Sequence, residues 1–182
     1  MNANEFDLIV IGSGPAGQKA AVQGAKAGRR VALVERDRAV GGHCVHRGTI
    51  PSKTLRQSAV RISQLREQQQ RFSFTMPDEM TMASLIENLG SVIDSHDQYI
   101  SDQLTRNNIA HFHGHASFMD NHNVLLKRPG KGELLLWGND IVIATGSYPR
   151  SASNVELDHE NIYDSDSFLS QAYLPVSLTI LG

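Results

Sequence analysis

Three groups of residues in this chain have types and spacings that can do chemistry. The first is Gly12-Ser13-Gly14-Pro15-Ala16-Gly17, a G-x-G-x-x-G turn. In such a turn Gly12 permits the tight bend, Gly14 lets the backbone approach a pyrophosphate, and Gly17 lets a helix sit close to a strand. Free N–H groups at the helix start face the anion. Glu35 stands about twenty residues further on, where a carboxylate accepts both hydroxyls of an adenosine ribose and repels a 2′-phosphate, so the site takes FAD or NAD and rejects NADP. The plain alternative is a glycine-rich surface turn with a solvated glutamate. Against it stand an apolar run before the turn, a helical pattern after it, and the acid at the end of the next apolar run.

The second group is Val40-Gly41-Gly42-His43-Cys44-Val45-His46-Arg47-Gly48-Thr49-Ile50-Pro51-Ser52-Lys53. Cys44 is the single cysteine of the chain, so there is no internal disulfide, in agreement with a reducing compartment. It reads either as a reactive thiol, activated by a nearby helix start, or as a packed residue beside a cofactor. Packing is favoured, because free cysteine is among the most buried residue types. Lys53 falls in or near the first turn of a helix, where the macrodipole disfavours a cation, so local helix energetics do not account for it. The third group, His111, His113 and His115, alternates along a strand-like run and puts three imidazoles on one face. No Cys, Asp or Glu lies within that run, and no metal site is expected.

The elements that must position these groups follow from periodicity. Phe6 to Ile11 is a short, nearly continuous apolar run ending at glycine, the pattern of a parallel strand buried on both faces. Ala20, Ala21, Val22, Ala25 and Ala27 recur at helical spacing up to Gly28, and Val31 to Val34 forms a second strand ending at Glu35. Strand, turn, helix and strand are thereby complete within about thirty residues. From Thr54 the apolar period becomes three to four, through Leu55, Ala59, Ile62 and Leu65. It resumes through Met82, Leu85, Ile86, Leu89, Val92, Ile93, Tyr99, Ile100 and Leu104, after a polar stretch from Glu67 to Asp78 with a turn at Pro77-Asp78. This predicts two amphipathic helices, a helical excursion over about 54–107, with Leu85, Leu89, Val92 and Ile93 as a packing stripe. Strand-like pieces at Ile109–His113, Ala116–Met119, Val124–Lys127 and Glu133–Trp137 predict a small antiparallel β-meander over about 109–137, with Trp137 in the core. Ile141 to Ala144 reads as a further buried strand rejoining the central parallel sheet. Leu178 to Leu181 repeats the form of the first strand and meets Gly182, which predicts the truncated start of a second nucleotide-binding domain at about 177–182.

Composition narrows the classes. With 182 residues, 40% hydrophobic and 20% charged, the chain has the makeup of one globular domain. A net charge of −2 and no basic run leave nothing to neutralise a phosphate backbone, so no nucleic-acid partner is expected. The apolar run Leu8 to Ile11 is too short for a signal segment or a membrane span, and a cytoplasmic protein is expected.

The second group of residues resembles the active-site signature of the two-domain flavoprotein disulfide reductases, the family of glutathione reductase, dihydrolipoamide dehydrogenase and mercuric reductase. There G-G-x-C-x-x-x-G-C-x-P-S-K follows the first FAD motif. Ala144-Thr145-Gly146-Ser147-Tyr148-Pro149 resembles the family's second FAD-domain motif, and Gly114-His115-Ala116 falls where a backbone segment of the family touches adenine. Thr49 stands where the flavin-facing cysteine belongs. One branch, the soluble pyridine nucleotide transhydrogenases, is similar in this respect and carries C-x-H-x-G-T-I-P-S-K. Cys44, His46, Gly48, Thr49, Ile50, Pro51, Ser52 and Lys53 match that pattern, as does Ile162-Tyr163-Asp164-Ser165-Asp166-Ser167, whereas His43 and Arg47 differ from the Gly and Trp of the branch.

The resemblance implies an α/β, Rossmann-like FAD-binding domain with a central parallel sheet, the N-terminal portion of a longer flavoprotein. It implies FAD held by Gly12, Gly14, Pro15, Ala16, Gly17, Glu35, Arg36, Gly41, Gly42, His43, Cys44, Gly48, Thr49, Lys53, His115, Ala116, Ala144, Thr145 and Gly146. Lys53, Thr49, Cys44 and His46 would serve the chemistry, Lys53 with its ammonium near the flavin N5. The implied activity is hydride transfer between NADPH and NAD+ through flavin, with nicotinamide nucleotides as small-molecule partners and a homo-oligomer at full length. Other readings are a NAD(P)H-dependent reductase with lipoamide, a metal ion, quinone or oxygen as acceptor, or a non-catalytic FAD-binding module. Residues 1–182 by themselves, without a nicotinamide domain, are expected to be inactive.

Overall fold

In the computed structural model, residues 3–72, 82–150, 154–171 and 175–181 are described. The chain divides into two compact units, Met1–His46 with Ser95–Tyr148, and Arg47–Asp94 with Pro149–Gly182. The first unit carries the sheet. Its strands are β1 (Glu5–Ile11), β2 (Val31–Glu35), β3 (Ala110–His113), β4 (His115–Phe118), β5 (Asn123–Arg128) and β6 (Gly132–Ile143), in the spatial order β3-β2-β1-β6-β5-β4.

β1, β2, β3 and the second half of β6 run parallel, with Leu8 opposite Val31, Ala32 opposite Ala110, and Ile9 opposite Ile141. Helix α1 (Pro15–Lys26) connects β1 to β2, as the small residues of that segment predict, and Gly28 just beyond it takes φ +81°. β2 is buried along its whole length, as a central parallel strand should be.

Two readings of the later strands are corrected. Residues 110–113 do not open the meander: β3 pairs with β2 in parallel and belongs to the central sheet. The meander is β4-β5-β6, and its last strand is also the strand that returns to β1, since Glu133–Trp137 and Ile141–Ile143 form one twelve-residue strand. The apolar pattern of the sequence breaks between the two pieces, at Gly138-Asn139-Asp140. The break has a packing cause: a Cβ at Gly138 would lie 2.8 Å from the Ile9 side chain. Ile141 and Val142 are half-buried and Ile143 is 65% exposed, so this end of β6 is not the wholly buried strand its sequence suggests.

β3 and β4 close the two ends of the strand order, yet only Gly114 separates them in sequence. The sheet therefore rolls until its ends meet. Gly114 N–H donates to the Glu35 carbonyl (2.8 Å), and at φ +156° a Cβ there would come within 2.6 Å of the Lys127 carbonyl oxygen. Inside the roll lie Phe6, Ile9, Ala32, Val34, Val124, Leu126 and Leu136, with Phe112 edge-on to Phe6 at 5.9 Å. Trp137 is not among them. It alternates onto the other face of β6, is 41% exposed, and stacks on His122.

Short helix α2 (Gly42–His46) also belongs to the first unit. α3 (Thr49–Phe72) starts five residues before its apolar period does and runs through Glu67–Phe72, which the sequence reads as a polar connection. Pro51 is its third residue, where the missing N–H would have had no partner within the helix. α4 (Met82–Arg106) matches its predicted extent. Of its stripe, Leu89 is buried and Val92 and Ile93 are half-buried, whereas the Met82, Leu85 and Ile86 side chains lie outside the described residues, as do Pro77 and Asp78. Residues 178–181 are not part of a strand.

Candidate functional site

β1 delivers the glycine turn. Gly12, at φ +105°, donates to the Val34 carbonyl (2.8 Å), and a Cβ there would collide with the Ala144 carbonyl. Ala144 N–H in turn donates to the Ile11 carbonyl (2.8 Å), so Ala144-Thr145-Gly146 is fastened beside the turn. A Cβ at Gly17 would collide with the Gly12 carbonyl, which is the close helix–strand approach the motif predicts. Gly14 caps α1 with Pro15 at the helix start, and a Cβ at Gly14 would meet nothing within 4 Å. No side chain caps this helix and no acid lies in its first turn, so the start of α1 has the form of an anion-binding helix end.

Glu35 is buried at 7% exposure, and donors from Ser13 and Asp37 converge on its carboxylate. Oε2 accepts from Ser13 N–H (2.7 Å) and Ser13 Oγ (2.6 Å), and Oε1 accepts from Asp37 N–H (3.0 Å). Burial raises the carboxyl's pKa, but the hydrogen bonds from Ser13, Asp37 and Arg36 outweigh it and hold the group below the ordinary carboxylate range. The acid is therefore ionised and aimed, with most of its acceptor capacity already engaged.

The Gly41-Gly42 turn closes against this loop. Gly41, at φ +116°, donates to Ser13 Oγ (3.0 Å), and a Cβ at Gly42 would approach Gly14 Cα to 2.9 Å. Asp97 of α4 accepts from Val40 N–H (2.8 Å), and His46 Nε2 donates to the Val40 carbonyl (2.8 Å). His46 is thus an anchor of the turn. Cys44 is half-buried rather than fully packed. The Arg36 guanidinium lies 4.9 Å from the centre of the Tyr148 ring and pairs with Asp37.

β4 turns His115 outward, opposite Lys127, and Ala116 inward onto the core. The three histidines do not share a face of one strand. Gly114 ends β3 after His113, and His115 begins β4, because the chain passes from one end of the rolled sheet to the other. Among the described residues no group of three metal-ligating side chains occurs.

The second unit holds Gly48, Thr49 and Lys53. Thr49 opens α3, and Ser52 Oγ donates to the Gly48 carbonyl (3.0 Å) and the Thr49 carbonyl (3.3 Å). Lys53 is exposed and is the fifth residue of α3, so it sits past the first turn, where the macrodipole penalty has faded. The sequence-based anomaly at Lys53 is smaller than expected. Asp164 ties the turn that precedes the short 3-10 helix Ser167–Ser170: its Oδ1 accepts from Ser167 N–H (2.7 Å) and Ser167 Oγ (2.7 Å). That gives the Ile162–Ser167 motif a local structural reason.

Sequence reasoning did not single out Ser13, Asp97 or Tyr148. Ser13 had a faint signal, a hydroxyl between two motif glycines; Asp97, on a helix far along the chain from Val40, had none.

Comparison with known proteins bears on all of these groups together. The family model described as pyridine nucleotide-disulphide oxidoreductase matches residues 6–182. The soluble pyridine nucleotide transhydrogenase of Mycobacterium tuberculosis is 41% identical over 180 residues, covering 98% of this chain and 38% of the relative. That of Colwellia psychrerythraea is 36% identical over 178 residues, with the same coverage. Among solved structures, the Cu(II) complex of the HOCl-induced flavoprotein disulfide reductase RclA from Escherichia coli superposes with a TM-score of 0.78 at 30% identity, over 96% of this chain and 36% of that one. The chain spans 38–39% of the length of the curated relatives it matches. No helix among the described residues is long and apolar enough to cross a membrane.

Proposed function

The chain belongs to the pyridine nucleotide-disulphide oxidoreductase family, and from that premise we propose that it is the FAD-binding part of a soluble pyridine nucleotide transhydrogenase. The carrying observation is that the segment from Gly41 to Lys53 holds one sulfur, at Cys44, with Thr49 where a second would be needed. Thiol–disulfide exchange requires an attacking thiolate and a sulfur leaving group, and a threonine hydroxyl provides neither near neutral pH. Bound flavin supplies two-electron hydride chemistry that needs no protein nucleophile.

The residues present fit FAD. An uncapped helix start with open space over Gly14 suits a pyrophosphate, and the buried, ionised Glu35 suits a ribose hydroxyl. The backbone at His115-Ala116 is assigned to adenine by the family resemblance, Arg36 and Ala144-Thr145-Gly146 to the pocket wall. On the same resemblance, Lys53 would supply positive charge to the reduced flavin and would stabilise negative charge on it.

The intact transhydrogenase of which we propose this chain to be the FAD-binding part, once purified, tests this. It should be yellow, reduce a NAD+ analogue with NADPH, and leave lipoamide and glutathione disulfide untouched. Turnover of either disulfide, or a colourless protein, would sink the assignment. A second reading, with a metal ion as electron acceptor, draws on one observation: the structural neighbour RclA was solved as a Cu(II) complex. NADPH oxidation that depends on added Cu(II) and ignores NAD+ would favour it.

A further inference from the structure

We propose that Ser13 is the positioning residue of the dinucleotide site, its single hydroxyl holding Glu35 in aim and joining the glycine turn to the Gly41-Gly42 turn. The inference rests on the FAD reading above and names a residue through which that site is built. Ser13 is fully buried, and its Oγ lies in a relay: Gly41 N–H donates to it at 3.0 Å, and it donates to Glu35 Oε2 at 2.6 Å. Its own N–H donates to the same oxygen at 2.7 Å. Among the described residues this hydroxyl is the side-chain donor to Glu35; the other donors are backbone N–H groups fixed by the fold.

The chain of bonds has two effects. Each bond polarises the next, so the hydroxyl that accepts from Gly41 is a stronger donor to the carboxylate. It also joins segments that both approach Gly14, since Gly42 abuts Gly14 and Gln18 Nε2 holds the Ser13 carbonyl at 2.8 Å. Without the hydroxyl, Oε2 loses a donor while remaining buried, and Gly41 N–H loses its acceptor.

Other titratable and charged groups lie on the segments around Glu35. Arg36 and Asp37 follow it in the chain, His113 stands opposite it in β3, His111 lies two residues before that, His115 follows Gly114, and Asp97 reaches the same loop from α4. All are shared by the wild type and a Ser13 variant, so a difference between their pH profiles isolates the hydroxyl.

The test compares FAD dissociation constants of the intact flavoprotein as wild type, Ser13→Ala, Ser13→Thr, Glu35→Gln and the double variant Ser13→Ala/Glu35→Gln from pH 5 to 8. Hydrogen bonds to charged groups are worth about 1.5–3 kcal/mol, so Ser13→Ala should weaken FAD about tenfold to hundredfold at pH 8. The loss should grow as pH falls, because a carboxylate short of one donor takes up its proton at higher pH. Ser13→Thr should recover much of the affinity, and Ser13→Ala should cost clearly less once Glu35 is already glutamine, the remainder being the lost acceptor of Gly41 N–H. Parallel pH profiles for wild type and Ser13→Ala, or the same loss with and without Glu35, would overturn the positioning role while leaving FAD binding intact. A wild type that retains no flavin at any pH would overturn the FAD reading and this inference with it.

Discussion

Glu35 shows how a single residue carries both binding and stability. Its pKa is lowered in the folded chain, so it contributes stability that is fully present above the unfolded carboxyl's pKa, about 4.3, and is lost as pH falls through the lower folded value. Glu35→Gln should therefore cost about 1.5–3 kcal/mol at pH 7, and the gap from wild type should close toward pH 3. Urea midpoints across that range would check it; a gap independent of pH would mean the charge is not what Ser13 and Asp37 stabilise. Asp158 illustrates the same chemistry without burial. Its Oδ1 accepts from the N–H groups of Glu160, Asn161 and Ile162, which together hold its pKa at about 2, and its role is to shape a surface turn. A depressed carboxyl is thus no mark of a ligand site unless burial and a motif accompany it.

At the scale of elements, the decisive one is β6. Its first half pairs antiparallel with β5 and its second half parallel with β1, and Gly138 sits between them against Ile9. Gly138→Ala should cost about 1–3 kcal/mol through overpacking of Ile9, read as a lower denaturation midpoint with an unchanged slope. A neutral result would show that Ile9 has room to move. α1 was legible as an element because its small residues, its glycine turn and Gly28 agree with one another. α3 was not bounded correctly, since a helix can take Pro51 in its first turn and a run of charged and amide side chains in its last. Periodicity marks the apolar face of a helix, and polar turns at either end leave no apolar signal.

At the scale of the whole molecule, a ligand that binds only the folded protein stabilises it by mass action. FAD at one hundred times its dissociation constant should add about 2.7 kcal/mol. Thermal unfolding of flavin-loaded and flavin-stripped protein checks this, and identical midpoints at saturating FAD would contradict a folded-state flavin site. The sequence by itself determined the β1-α1-β2 unit, the glycine turn, the acid at the end of β2 and the missing second sulfur. Each of these is written in neighbouring residues, where side-chain size, φ preference and spacing act locally. Only the tertiary structure decided that β3 joins the parallel sheet, that the meander and the returning strand are one, and that Ser13 ties Glu35 to Gly41. Those depend on which segments meet across long stretches of chain. Strand pairing and a buried hydroxyl's partners are set by the rolling of the sheet, which no short window of residues encodes.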